Sequence, residues 1–409
     1  MLCQFSVRNY KSIRDEITLD LQAASISEHE DSVIVDRDNE RFLPVSVLYG
    51  PNGGGKTTVL QALFTLCSMV LRPVYVTMEQ KKGEAMLSSV PVKPYAFSEQ
   101  TKEKPTEFRV FFRTKEAEYR YELHIKDGMI RFESLDRIKL DTSRVSGLFS
   151  REGSDIVLKG VLSRHRISTE LSQSLPLLSY LGITYAKNEV IRDAIHWFQD
   201  KIDFLNYGDP LREMRIAIAR SERVKGLVLS MVQEMDLDID DFRVEKGENG
   251  EIIEVYTRHT VNGRSAELKL SEESRGTMKL FGLLTYIVES LLNGSTLVID
   301  ELDAKLHPLL LRHIIMQYTN PNVNRNGAQL FFTSHDLSTM NSDVFRRDEI
   351  WFVAKGNAQN SILYSLVEFK TSSGESVRKD ARFDKQYLEG KYGADPYLRR
   401  IIEWGEING

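Results

Sequence analysis

Residues 45–58 read Val45–Ser46–Val47–Leu48–Tyr49–Gly50–Pro51–Asn52–Gly53–Gly54–Gly55–Lys56–Thr57–Thr58, and this stretch decides the fold. An apolar run of strand length ends at a glycine-rich loop, and the loop ends in lysine–threonine, matching GxxxxGK[ST] in full. Asn52, Gly53, Gly54 and Gly55 let successive backbone N–H groups turn inward around phosphate oxygens. Lys56 places a positive charge at the β and γ phosphates, and the Thr57 hydroxyl, followed by Thr58, is a ligand for Mg²⁺. After the loop, Leu60, Leu63, Phe64, Cys67 and Leu71 recur at helical spacing. That predicts a helix whose positive dipole end faces the anion. A plain glycine turn before a helix would not require the lysine–threonine pair.

Three downstream stretches supply what a phosphate loop needs. Leu297–Val298–Ile299–Asp300–Glu301 is an apolar strand ending in two carboxylates. At a strand end Asp300 is placed to hold Mg²⁺ through water, and Glu301 to polarise an attacking water. Read alone, an apolar run followed by two acids is a weak signal that a helix cap would also give; downstream of a phosphate loop it becomes strong. Phe331–Phe332–Thr333–Ser334–His335–Asp336 is a second strand end, with His335 34 residues after Glu301 and suited to a γ-phosphate or the attacking water. Leu270–Ser271–Glu272–Glu273–Ser274–Arg275–Gly276–Thr277 opens an amphipathic helix about two dozen residues before Asp300. Ser274 and Gly276 could present a hydroxyl and N–H groups to a phosphate. The chain's own phosphate loop leaves them no such task, so they fit the γ-phosphate held by a second subunit.

The remaining chain reads as an α/β protein. Alternating residues at Phe5–Leu21 and Glu107–Ile138, the latter broken by a Lys126–Gly128 turn, predict an antiparallel lobe. A mainly helical insertion is expected over 143–250, between an N-terminal part (1–142) and a C-terminal part (251–409) of one head. Of 409 residues, 54 are Lys or Arg and 59 Asp or Glu; the net charge of −5 argues against a histone-like role. Cys3 and Cys67 alone exclude a disulfide framework and a thiol zinc site. The N-terminus shows no signal-peptide core, and the best apolar stretch, Leu280–Leu292, is short and broken by Glu289. A cytoplasmic protein without a membrane segment is therefore expected. Asp236–Asp241 (DLDIDD) has the carboxylate spacing of some nucleases but alternates with Leu237, Ile239 and Phe242, which reads as a strand with solvated acids. Arg212, Arg215, Arg220, Arg223 and Lys225 form a basic helical stretch. Tyr119, Tyr121 and Phe132 read as sheet packing rather than a base-stacking platform.

The order GPNGGGKTT, ESRGT, LVIDELDAKLHP, FFTSHD resembles the ABC-type ATPase heads of SMC, RecF and OLD proteins. NYKSI near the start, DELDAKLHP and the ending YLEGKYGADPYL narrow the resemblance to the AAA-15 ATP/GTP-binding family, the RloA/AbiL-like ATPases of bacterial phage-defence loci. The likeness covers nearly the whole chain and is softer from about 140 to 265. It implies an ABC-type P-loop ATPase head with an antiparallel β lobe and a helical insertion, using ATP and Mg²⁺. Carried onto this chain, it implies Lys56 and Thr57 as Walker A, Asp300 as Walker B and Glu301 as the catalytic glutamate. It further implies Asp303 as the D-loop aspartate, Ser274 and Gly276 as the signature, and His335 as the switch histidine. Arg275 and Thr277 depart from LSGGQ, where a glycine and a glutamine stand. Gln100 is a candidate for the Q-loop glutamine. The resemblance also implies a head-to-head dimer or higher oligomer that gates a separate effector, a Toprim-like nuclease, in anti-phage and abortive-infection defence. The rival readings are a RecF- or SMC-like repair ATPase that binds DNA, and an OLD-like nuclease. Only 74 residues follow His335, too few for a fused Toprim domain plus the last ATPase strands.

Overall fold

The computed structural model describes residues 1–77, 91–168, 171–205, 221–235, 239–247, 252–304, 306–370 and 374–394. A six-stranded sheet forms its centre, in the order Ile202–Leu205, Thr296–Ile299, Gln329–Thr333, Val45–Tyr49, Ile350–Lys355, Ser361–Ser365. The first five are parallel and the last is antiparallel. The three strands Thr296–Ile299, Gln329–Thr333 and Val45–Tyr49 at its middle are short and wholly buried, so they read as largely apolar runs rather than alternating ones. The period of two persists in a different form, as a division between two cores. Val45, Val47, Tyr49, Leu297, Ile299, Leu330 and Phe332 face one cluster, with the helices Arg275–Asn293 and Pro308–Thr319. Leu48, Val298 and Phe331 face the other, with the helix Lys56–Thr77.

On the far side of that helix lies a seven-stranded antiparallel sheet, in the order Asp155–Leu158, Val145–Glu152, Met129–Lys139, Ala117–Lys126, Thr106–Arg113, Leu2–Arg8, Ile17–Asp20. Its strands alternate, and one face is buried. The expected turn is present, with Asp127 (φ 53°) and Gly128 (φ 71°) both left-handed, the geometry a two-residue hairpin loop demands. Tyr119 and Tyr121 pack inside the lobe, and their hydroxyls donate to Asp193 (3.0 Å) and Glu133 (2.9 Å).

The segment 143–250 differs from a mainly helical insertion. Its first two strands, Val145–Glu152 and Asp155–Leu158, extend the antiparallel sheet, and Ile202–Leu205 joins the central sheet beside Thr296–Ile299. Between them, the helices Leu177–Thr184 and Glu189–Asp200 pack on the same core as Lys56–Thr77. Asn188 caps the second, accepting from the N–H groups of Val190 and Ile191 (3.1 and 3.3 Å). Trp197 stacks on Phe112 at 4.2 Å, and each such large buried apolar side chain contributes about 1.5–3 kcal/mol. Helical spacing at Ile191, Ile195 and Phe198 was legible, but whether that face packs inward or projects depends on partners distant in sequence. Ile239 and Phe242 are buried, and Asp241 pairs with Arg258 at 3.2 Å in a three-stranded sheet, Asp241–Lys246, Ile252–Val261 and Arg264–Lys269. Asp236, Leu237, Asp238, Arg212, Arg215, Arg220 and the last residues of the YLEGKYGADPYL ending lie outside the described residues.

Leu280–Leu292 is not the most membrane-like stretch. Lys56–Thr77 is long and apolar enough to cross a bilayer, but 67% of its most apolar window is buried within the fold. It is apolar on most faces because it lies between two sheets. Cys3 and Cys67 are both buried and unpaired with each other.

Candidate functional site

Three parallel strands, Val45–Tyr49, Thr296–Ile299 and Gln329–Thr333, end at one edge of the central sheet, where open α/β sheets place ligands. The glycine loop leaves the first of these and enters the helix Lys56–Thr77. Gly50, Gly53 and Gly55 have φ of 152°, 73° and 113°, which side-chain-bearing residues avoid. Close packing adds a second requirement. A Cβ on Gly50 would lie 2.3 Å from the Val353 carbonyl oxygen, and one on Gly55 only 2.0 Å from Ser361 Oγ. Asn52, Gly53 and Thr57 are exposed, and Thr58 is half-buried. Lys56 is buried, and its ammonium donates to the Gly50 carbonyl (2.7 Å) and the Pro51 carbonyl (3.3 Å). Burial lowers its pKa, while the charges of Asp300, Glu301 and Asp303 act to raise it. The loop lysine and the three acids therefore share one electrostatic site.

Asp300 and Glu301 follow the strand Thr296–Ile299 directly and do not cap a helix. The next helix, Pro308–Thr319, is capped instead by His307, whose Nδ1 accepts from Leu309 N–H at 3.2 Å, with proline at its first position. This gives the histidine–proline of DELDAKLHP a local structural cause. Glu301 has a left-handed backbone (φ 52°), costing about 1–2 kcal/mol for an L-residue. Asp303 accepts from the backbone N–H of His335 at 3.1 Å, which ties the two strand-end loops together. Its other oxygen, Oδ1, is buried without a hydrogen-bond partner among the described residues. The His335 side chain is exposed beside it, while Asp336 is occupied in a turn with Ser338 and Thr339.

Ser274 sits at the exposed N-terminus of the helix Arg275–Asn293 and caps it, accepting from Thr277 N–H at 3.1 Å; Gly276 lies in the first turn. This end is anchored twice. Glu273 accepts from Thr257 (2.5 Å) and lies 2.7 Å from His259, which joins it to the three-stranded sheet. Lys279, one turn on, donates to the Ala304 carbonyl just past Asp303. The Ser274 segment and the acid loop are thus joined within one chain. Gln100 lies on the short exposed helix Glu99–Lys102, lining a groove with Arg8, Asn9, Thr101 and Lys104.

Sequence reasoning missed a brace under the loop. The Ser361 hydroxyl donates to the Gly54 carbonyl (2.7 Å) and lies 2.8 Å from the Ser12 hydroxyl, and the Ser361 N–H donates to the Ser12 carbonyl (2.8 Å). Ser12 lies within NYKSI, so that quoted stretch touches the loop. Ser361 follows a turn and carries no signal of its own. A groove of about 500 Å³ opens beside this brace, lined in part by Arg14, Asp15, Asn357, Asn360 and Ser361. The donor set of Thr57 hydroxyl and Asp300 carboxylate is all hard oxygen, as a small divalent cation such as Mg²⁺ prefers.

No curated protein matches the chain. Among solved structures it is similar to the SMC head domain from Thermotoga maritima, with 15% identity and a TM-score of 0.41 over 89% of this chain and 98% of that one. It is also similar to an Smc head bound to the C-winged helix domain of ScpA, at 12% identity and a TM-score of 0.43 over 89% and 97%. A third is the Smc head domain with an extended coiled coil bound to the C-terminal domain of ScpA, derived from Pyrococcus furiosus, at 11% identity and a TM-score of 0.41 over 89% and 96%. Likenesses this distant carry no weight for function. The family described as "AAA domain, putative AbiEii toxin, Type IV TA system" matches residues 45–341, from the strand before the phosphate loop to just beyond His335. With that match over most of its length, and with a parallel sheet that delivers the loop and both strand-end acids to one edge, the chain belongs to this AAA-domain family and folds as an α/β P-loop ATPase head.

Proposed function

We propose that the chain binds and hydrolyses Mg-ATP as one half of a head-to-head pair, and that this cycle gates a separate effector, a Toprim-like nuclease, in defence against phage. The observation that carries the hydrolytic reading is the meeting of Lys56 with Asp300, Glu301 and Asp303 at one sheet edge. Backbone N–H groups of 52–58 cradle the phosphates, Lys56 supplies their cation, and Thr57 with Asp300 would hold Mg²⁺. When bound, that ion neutralises charge on the β and γ oxygens. Glu301 takes the proton of the attacking water, and His335 orients the γ-phosphate from the neighbouring strand end. Ser274 and Gly276 reach the site of the second head, because the Ser274 side chain is exposed at a helix N-terminus, where anions are favoured.

A phage-defence ATPase of the RloA/AbiL-like kind fits the family's description, which names a toxin–antitoxin system and so a machine with a second component. Salt-dependent DNA binding by the purified chain would favour the repair-ATPase reading instead.

The pairing is tested by mixing two inactive variants. Lys56→Ala and Ser274→Arg should each abolish ATPase activity, with Ser274→Arg still binding ATP. Mixed, they form pairs with one intact composite site, and activity should return in part. No recovery on mixing, with both variants folded and subunit exchange demonstrated, would refute the shared site.

A further inference from the structure

We infer that Thr333 is a positioning residue for both strand-end acids, an assignment that rests on the roles proposed above for Asp300 and Glu301. Thr333 ends the strand Gln329–Thr333 and is fully buried. That strand runs parallel to Thr296–Ile299, with Ile299 paired to Phe332, so Thr333 comes level with Asp300. The Thr333 hydroxyl lies 2.6 Å from Asp300 Oδ1 and 2.7 Å from the backbone nitrogen of Glu301. Its carbonyl accepts from Leu302 N–H at 3.1 Å. One residue thereby holds three consecutive positions of the acid loop.

The direction of these bonds follows from counting protons. A backbone N–H can only donate, so Glu301 N–H donates to Thr333 Oγ1. A threonine hydroxyl has a single proton, and with its oxygen accepting from Glu301 that proton goes to Asp300 Oδ1. Asp300 therefore accepts on Oδ1, and its Oδ2 takes no part in this bond. The same hydroxyl holds the N–H of Glu301, whose backbone is left-handed (φ 52°). A side chain of equal shape without the hydroxyl would lose both bonds at once. The neighbouring stretch also holds the strand itself, since Ser334 N–H donates to the Leu48 carbonyl at 3.1 Å on the strand that leads into the phosphate loop.

The test compares Thr333→Val, which keeps the shape, with Thr333→Ser, which keeps the hydroxyl. The first readout is binding of ADP and of a non-hydrolysable ATP analogue by calorimetry, in Mg²⁺ and in EDTA; the second is kcat and KM for ATP. In Thr333→Val the gain in affinity that Mg²⁺ brings should shrink about tenfold, with affinity in EDTA unchanged, because a hydrogen bond to a charged group is lost. Its kcat should fall on the order of tenfold to a hundredfold, with KM rising in step with the weaker Mg-ATP binding, and Thr333→Ser should recover both. Should Thr333→Val not fold, Thr333→Ala is read the same way, and a purely structural role would lower the melting temperature equally in Ser and Ala. Retention of the Mg²⁺ increment and of kcat in a folded Val or Ala variant, or a Ser variant as impaired as Val, would overturn the assignment. Asp300→Asn in the same titration separates the two readings. An unchanged Mg²⁺ increment there defeats the role of Asp300 itself, whereas its loss there alone defeats only that of Thr333.

Discussion

The two large sheets meet the phosphate loop in opposite ways. The central sheet uses short middle strands buried on both faces and carries its polar site residues at or just past their ends, at Gly50, Asp300 and Thr333. The antiparallel sheet uses longer alternating strands buried on one face and contributes no acid or lysine to the site. Among the described residues it reaches the loop through the turn between its first two strands, where Ser12 meets Ser361 beneath Gly54 and Gly55. The difference follows from where each sheet leaves polar groups. A buried parallel strand can place charge only at its end, where the backbone emerges. A half-buried strand spreads polar residues along one face, so nothing concentrates. The central sheet is thus expected to govern chemistry, and the antiparallel lobe the shape and stability of the loop.

The strongest way to break this contrast is Lys56→Ala. Losing the main cation at the phosphates should weaken ATP binding about a hundredfold or more by calorimetry, with the fold retained. Tight binding would mean that the strand-end edge is not the site. Next comes Glu301→Gln, which should keep ATP affinity within a few-fold while turnover falls by about 10² to 10⁴. Equal losses in binding and turnover would mean that Glu301 shapes the loop instead of acting on water.

A smaller effect is expected from the antiparallel side. Ser361→Ala removes the bond to Gly54 and the contact with Ser12, and should cost about 1 kcal/mol of stability and a few-fold in ATP affinity, leaving kcat nearly unchanged. A loss in kcat as large as that of Glu301→Gln would erase the distinction between bracing and chemistry.

The smallest effect lies at the opposite end of the central sheet. Glu349 precedes Ile350–Lys355, is buried with Oε1 unpartnered among the described residues, and has its pKa pushed up to about 8 by burial. A carboxyl that ionises at higher pH in the folded than in the unfolded chain favours the folded state at low pH. That stability is lost as pH rises from the unfolded value toward about 8. Glu349→Gln should flatten this decline in denaturant titrations and leave ATP binding untouched. An unchanged slope would mean that Glu349 is already ionised in the fold.

Much of the site was legible because its chemistry is local. The phosphate loop needs left-handed glycines and a lysine at fixed spacing, and both are properties of nine consecutive residues. Asp300–Glu301 and His335 were legible because a buried strand must end where polar residues begin. The Lys126–Gly128 hairpin was legible for a similar reason, since left-handed turn positions favour few residue types. Ser361 was not, because its importance lies in an approach to Gly54 and Gly55 from about 300 residues away. The role of 143–158 was equally hidden. Two more strands with polar and apolar residues look alike whether they extend an existing sheet or begin a separate unit.

By itself, then, the sequence determined the loop, the polar residues at each strand end and the identity of each charged group, since these depend on neighbours within a few bonds. Tertiary structure alone decided that Thr333 faces Asp300, that Ser12 and Ser361 brace the glycines, and that the helices of 177–200 pack inward on Lys56–Thr77. Strand order, register and helix docking are settled by burying surface between distant segments. That free energy belongs to pairs of surfaces and is not written in either one alone.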